Sequence, residues 1–434
     1  MRRPERMAGT RAAGWVPEVA GILTADQLLA TGDSIAAVQQ ADGAIGWPDG
    51  HVDAWNHIEC AMALSVCGLR AAARRAYAWL ASAQRPDGSW PVRPASVLAL
   101  GGAGHGSTGH GSTGTGSTGT GSTGTGSTGT GKTGTADCTA AEIFGDFTAA
   151  DQSAESNHAA YAAVGAWHEL LVTGDEAFAE RMWPVVHGGI EFALSLQRPR
   201  GEIIWRRMAD GTPDTYALLA GSSSMYQALR CGIALADHLN VPQPDWEVAA
   251  AQLGHVVAVH GEQAFADKSR YSMDWYYPVL AGPVRGSAAR QRLDQGWDTF
   301  VVPGLGIRCV SDQPWVTGAE TCELAIALEA IGDRATALDL VEQIQHLRAP
   351  DGAYWTGWQF ANQAHFPNEQ SSWTSAAVIL AADALSGATN GAGIFAAAAS
   401  PSSELPAGTA SCGCPPGLAG AGSADPGSGP LQHP

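Results

Sequence analysis

Four times along this 434-residue chain a helix-like segment runs into a turn made of glutamine, glycine and an aromatic residue. Gln39-Gln40-Ala41-Asp42-Gly43 leads to Trp47, and Gln84-Arg85-Pro86-Asp87-Gly88 leads to Trp90. Gln197 through Gly201 leads to Trp205, and Gln345 through Asp351-Gly352 leads to Trp355. Glycine stops a helix because it enters the left-handed region without a Cβ penalty, and the aromatic then packs on the next hairpin. A supersecondary unit that recurs implies a repeat architecture, so these turns constrain the whole chain.

The segments between the turns read as helices in pairs. They run over residues 24–40, 51–69, 71–84, 151–172, 176–197, 216–239, 245–259, 315–330, 334–347 and 372–385. Thr24 is a natural N-cap for the first. Thr173-Gly174-Asp175 and Ile331-Gly332-Asp333 join neighbouring helices compactly, with glycine after one helix and Asp ahead of the next. Few segments alternate with period two. A count of about eleven or twelve helices predicts an all-α chain, an (α/α)6 toroid of helical hairpins, over residues 1–386.

Two stretches stand apart. Residues 106–135 repeat Gly-Ser-Thr-Gly-Thr, which buries almost nothing, so a disordered loop is expected at about 99–136. The Ala/Gly/Ser/Pro-rich segment 387–434 is likewise expected to be a disordered tail. Within the repeat, residues 126–133 match the phosphate-loop pattern G-x-x-x-x-G-K-T. That mechanism needs a strand before the loop and a helix after it, and both are missing, so the match is accidental.

A formal net charge of −18 argues against non-specific binding to nucleic acid or anionic membranes, which needs basic surface. No apolar run is long enough for a transmembrane helix and no secretory signal is visible. Cys60 and Cys67 fall in apolar helical patterns as buried thiols, whereas Cys412 and Cys414 form a weak C-x-C signal in the tail. The expected compartment is the reducing cytoplasm.

In a helical toroid, the loops at one end of the inner helices surround a funnel, and the chemistry should lie there. One acidic, aromatic cluster is Trp47-Pro48-Asp49-Gly50-His51-Val52-Asp53-Ala54-Trp55-Asn56-His57, in which Asp53 can both cap a helix and bind a hydroxyl. A second is Tyr271-Ser272-Met273-Asp274-Trp275-Tyr276-Tyr277-Pro278, and a third spans Trp355-Thr356-Gly357-Trp358 and Phe366 through Glu369 to Trp373. Glu320, after Trp315, opens a further inner helix. Aromatic faces with acids between them suit sugars, with Trp47, Asp49, Trp55, His57, Trp275, Tyr276, Trp315, Trp355, Trp358 and Trp373 as binding candidates. Glu369, Asp53, Glu320 and Asp274 are the candidate catalytic carboxylates. No Cys/His spacing suits zinc and no G-x-S-x-G elbow is present, so neither a metal nor another cofactor is expected.

The Gln84-x3-Gly88-x-Trp90 turn resembles the QW turn of squalene–hopene cyclases and prenyltransferase-like toroids. The cyclases' Asp-x-Asp-Asp acid motif is absent. From Tyr161 onward the chain resembles six-hairpin glycosidases of the glucoamylase type, through Trp167, Thr173-Gly174-Asp175, Trp183-Pro184, Gly201–Trp205, Asp351–Gly357 and Phe366–Leu385. The arrangement is also similar to the actinobacterial hydrolases of methylmannose polysaccharide. This resemblance implies a general base before the last helix, at Glu369, and a sugar-binding acid at Asp53. The general acid would follow Trp205, where this chain has Arg206, leaving Glu202, Asp210, Asp214, Asp274 or Glu320. The expected activity is hydrolysis of an α-linked polysaccharide or oligosaccharide, including α-mannan or methylated mannan, by two carboxylates. The alternatives are a terpenoid cyclase or prenyltransferase-like enzyme, and a non-catalytic glycan-binding toroid.

Overall fold

The turns do more than end helices. In the computed structural model, which describes residues 16–93 and 151–396, each turn glycine has positive φ: 103° at Gly43, 88° at Gly88, 122° at Gly201 and 94° at Gly352. A Cβ at Gly43 would stand 2.3 Å from the Arg75 carbonyl oxygen, and one at Gly88 would stand 2.0 Å from that of Gly188. Glycine is therefore required twice over, for its conformation and for the close approach of another helix.

The glutamines complete the device. The Gln39 amide donates to the carbonyls of Gly43 (3.1 Å) in its own turn and Ala72 (2.9 Å) on the next outer helix. Gln84 repeats this with Gly88 (3.0 Å) and Val185 (2.9 Å), and Gln197 with Gly201 (2.9 Å) and Ala249 (3.1 Å). Each side chain satisfies two carbonyls and clips one outer helix to its successor. The fourth turn closes the ring, because the Thr31 hydroxyl donates to the Gly352 carbonyl at 2.8 Å and Gly352 packs against Ala30.

The helices alternate between two rings. The outer ring comprises α1 (Ala25–Val38), α3 (Arg70–Ala83), α6 (Glu176–Leu194), α8 (Pro244–Val259), α10 (Gly286–Phe300) and α12 (Arg334–Gln343). The inner ring comprises α2 (Ala54–Val66), α4 and α5 (Ser156–Ala160 and Ala162–Thr173), α7 (Leu219–His238), α9 (Ser272–Leu280), α11 (Gly318–Ala330) and α13 (Ser372–Ser386). Around the inner ring α2 packs on α5, α5 on α7, α7 on α9, α9 on α11, α11 on α13, and α13 back on α2. Among the described residues this is the expected (α/α)6 toroid, with a core of Ile58, Met62, Leu64, Val164, Leu324, Ile379 and their neighbours along the axis.

Local signals at the helix ends match the sequence reading. Thr24 forms a capping box with Gln27, Asp175 caps α6 after the left-handed Gly174, and Asp333 caps α12. Cys60 and Cys67 are buried thiols.

Four features differ from expectation. Helices α9 and α10 occupy a stretch that the periodicity left unassigned, with Pro278 inside α9. Trp315–Thr317 is a strand ahead of α11 rather than its first turn. It belongs to a five-stranded antiparallel sheet of β3 (Val301–Val302), β4 (Gly306–Arg308), β5 (Trp315–Thr317), β6 (Gly357–Gln359) and β7 (Ala364–His365), paired in chain order; β1 (Ala154–Glu155) and β2 (Arg206–Arg207) pair separately. Strands of two or three residues are too short to show alternation. Finally, packing continues past residue 386: Thr389 hydrogen-bonds Asp383, and Ile394 and Phe395 are buried in the core. The Gly/Ser/Thr repeat with its phosphate-loop match, the 99–136 loop, Cys412, Cys414 and the tail from residue 397 lie outside the described residues.

Candidate active site

Because every inner helix runs the same way, their N-terminal ends meet at one end of the toroid. A cavity of about 190 Å³ lies there, lined by Trp47, Asp53, Trp55, Asn56, Asn157, His158, Met273 and Trp373. These residues come from the starts of α2, α4, α9 and α13 and from the turn before α2. The cavity is a three-tryptophan cup with one carboxylate in its wall.

Asp53 holds that place by capping. Its Oδ1 accepts from the Asn56 amide at 2.8 Å, and its Oδ2 accepts from the Trp47 indole N–H. The cap fixes the carboxylate at a helix N-terminus, where the exposed amide dipoles favour an anion. The floor is equally constrained. Trp55 stacks on Tyr161 with centroids 4.5 Å apart and planes 9° from parallel, and its indole N–H donates to Glu59 at 2.8 Å. Trp47 is backed by the His51 ring, stacked at 5.7 Å, and tilts against Trp373 at 5.9 Å.

Asp49, which does not line the cavity, accepts from His51 at 2.5 Å and pairs with Arg93. Burial pushes its carboxyl up, but the His51 hydrogen bonds and the Arg93 charge outweigh this and hold it below the usual range. Glu369 stands in the same field. Partial burial and the Asp49 charge raise its carboxyl, while the Thr356 hydroxyl pulls it back.

Asp274 follows Met273 on the first turn of α9. It accepts from the Ala220 amide of α7 at 3.3 Å, and burial pushes it up to about 6 against the pull of that amide and of Arg292. Glu320 is on the first turn of α11, buried beside the Cys309 thiol, with an Oε2 that has no hydrogen-bond partner. All four candidate carboxylates thus fall at or just before inner-helix N-termini. Asp53 alone among them lines the cavity.

Several aromatic and histidine candidates are placed elsewhere. His57 is fully buried, accepting from the Ile45 amide (3.1 Å) and donating to the Ala76 carbonyl (2.8 Å), so both ring nitrogens serve the backbone. Burial pushes its pKa down to about 4. Trp275 stacks on Phe300 at 5.2 Å and donates to the Arg292 carbonyl, locking α9 to α10. Tyr276 points into the core towards Glu323. Trp315 packs on Phe366 within the sheet, and Trp355 and Trp358 pack around His365. The physical reason is shared: an aromatic on an inner helix or short strand has buried neighbours on most sides, so burial competes with exposure to a ligand.

Asn56, Asn157, His158 and Met273 are cavity residues that the sequence reading did not select. The rule that inner-helix starts face the funnel would have found Asn157 and His158, had α4 been recognised as such a start. Among the described residues no group of three or more His, Cys, Asp or Glu side chains could hold a metal ion, and no helix is long and apolar enough to cross a membrane.

Comparison with known proteins fixes the relationship. No protein-family model matches the chain. It is 45% identical over 381 residues to the "MMP endo-(1,4)-3-O-methyl-alpha-D-mannosidase" of Mycolicibacterium hassiacum, spanning 88% of this chain and 92% of that protein. Among solved structures it resembles a glycosidase (TM-score 0.56, 13% identity, covering 83% of this chain and 97% of the other). It also resembles a D-mannose isomerase (TM-score 0.55, 10% identity, 82% and 96% covered) and the rhamnosidase from Klebsiella oxytoca with rhamnose bound (TM-score 0.51, 15% identity, 85% and 65% covered). At such identities these structures establish the toroid alone, and an isomerase among them shows that one fold carries different chemistries. The relationship along nearly the whole sequence is what decides: the chain belongs to the family of this methylmannose-polysaccharide endo-mannosidase and is a glycoside hydrolase.

Proposed function

We propose that the protein cleaves internal α-(1→4) bonds of a 3-O-methylated α-mannan in a reducing, cytoplasmic setting. The observation that carries this reading is the cup of Trp47, Trp55 and Trp373 around Asp53, together with the relative's activity. Indole faces suit the C–H faces of pyranoses and methyl ethers, and an anchored carboxylate suits hydroxyls and a nucleophilic water. The five free cysteines among the described residues support a reducing compartment.

In this reading Asp53 acts from the cavity wall as the acceptor, orienting a sugar hydroxyl or activating water. The proton for the leaving oxygen comes from a second carboxyl at the same end of the toroid. Glu320 is our choice for it. A buried carboxylate oxygen without a partner is costly unless it serves a ligand; Glu202 and Glu320 each have one, and of the two only Glu320 opens an inner helix. Asp274 and Glu369 are the competitors, since burial raises both carboxyls above their usual range.

The test is a panel of Asp53→Asn, Glu320→Gln, Asp274→Asn and Glu369→Gln assayed for reducing-end release from methylated α-mannan. We expect the two catalytic positions to lose about 10³-fold in kcat and the other two less than about tenfold. Wild-type turnover in Asp53→Asn would remove Asp53 from the mechanism. Activity on an isoprenoid with none on any glycan would remove the substrate class.

A further inference from the structure

A second, larger cavity lies outside the cup, where the first and last hairpins meet. Its volume is about 490 Å³, and it runs between the C-terminal half of α1, the Trp47–Pro48 turn and the residues leading into α13. Trp47 lines both cavities, so the two adjoin at one side chain. The cup alone, at about 190 Å³, is below the roughly 300–1,000 Å³ common for small-molecule sites. A polymer substrate therefore needs binding surface beyond it.

The groove wall has the chemistry of a glycan surface. Ser34, Gln40 and Gln370 supply hydroxyl and amide groups, and Ala37, Val38 and Pro48 supply small apolar faces. Val38 is 55% exposed, one of few large hydrophobic residues left in solvent among the described residues. Hydrogen-bonding groups interleaved with small apolar patches match a sugar chain bearing hydroxyls and methyl ethers. No basic residue lines the groove, which disfavours an anionic ligand.

We propose that this groove is a remote subsite that binds the continuation of the glycan outside the cup and makes the enzyme discriminate by chain length. The proposal rests on the glycan-cleaving reading given above. The two can be tested separately, because Ala37 and Gln40 are exposed on or just after α1 and take no part in the cup.

The experiment compares Ala37→Trp, which fills the groove, and Gln40→Ala, which trims it, with the unsubstituted enzyme. KM and kcat are measured on long methylated α-mannan and on the shortest oligosaccharide that is cleaved, with thermal unfolding as a check on folding. For Ala37→Trp we expect KM on the long chain to rise about tenfold, with kcat and the short-substrate KM unchanged. Gln40→Ala should raise only the long-chain KM, by about threefold. Unchanged long-chain KM in both folded variants, or equal losses on long and short substrates, would overturn the subsite. Failure of the underlying reading would look different: the unsubstituted enzyme would cleave neither substrate.

Discussion

Two sets of carboxylates sit along the same inner helices in different surroundings. At the mouth of α2 is Asp53, and six residues deeper is Glu59; at the mouth of α11 is Glu320, and three residues deeper is Glu323. Asp53 is held by a helix amide and an indole beside a cavity. Glu59 and Glu323 are buried beneath the cup, accepting from Trp55, Tyr161, Tyr276 and Tyr277, with no cation hydrogen-bonded to either among the described residues. Burial pushes Glu59 up to about 7, and burial together with the Glu59 charge raises Glu323 well above the usual carboxylate range. The deeper acids are struts under an aromatic floor, whereas Asp53 borders the cavity and Glu320 keeps an Oε2 without a hydrogen-bond partner among the described residues. All four side chains are buried, so their hydrogen-bond donors and the cavity beside Asp53 distinguish the two sets, and burial does not.

The contrast can be broken most forcefully at Glu323. Glu323→Ala should strand the Tyr276 and Tyr277 hydroxyls and cost about 3 kcal/mol in denaturant unfolding, since each buried unpaired donor costs roughly 1–3 kcal/mol. A loss below about 1 kcal/mol would mean that the pair is not structural.

A smaller effect concerns pH. The folded-state pKa of Glu59 lies above its unfolded value, so its contribution to stability is full below about 4.5 and is lost as pH rises through about 7. Stability should therefore fall across that window, by at most about 1.4 kcal/mol per pH unit, and level off above it. Glu59→Gln should flatten the fall. An equally steep profile in the variant would assign the titration to another group.

The smallest stability effect belongs to the mouth. Asp53→Asn should cost about 1 kcal/mol in unfolding free energy, because Asn keeps the cap about as well as Asp but leaves the Trp47 indole N–H without its acceptor. Its activity loss should nevertheless be the large one in the catalytic panel. A stability loss comparable to that of Glu323→Ala would erase the distinction between outer and inner acids.

The sequence made the toroid legible through features with a local mechanism. Gln84, Gly88 and Trp90 recur because three successive pairs of outer helices share the same clip, and Thr24, Gly174 and Asp175 mark helix ends by capping chemistry. Asp53 could be read as both cap and ligand because both roles follow from one helix start. What stayed hidden depends on direction. Trp55 and Trp275 look alike in sequence, yet one faces the axis end and the other wedges between α9 and α10. An inner helix is covered by neighbours nearly all round, so periodicity cannot say which of its faces meets substrate. His57 misled for the same reason: a polar residue among aromatics can serve a ligand, but this one serves two backbone groups.

The hydrogen bond from Thr31 to Gly352 also sets an order in time. It joins residues 321 positions apart, and the contact between Asn56 and Ser372 spans 316. A chain emerging from the ribosome at about 5–20 residues per second can stack its early hairpins well before either partner exists. The last hairpin supplies Trp373 to the cup and Gln370 to the groove. The cup therefore closes late in synthesis, and a nascent chain cut short before its sixth hairpin would carry most of the fold and most of the cup's wall but lack Trp373 and Gln370.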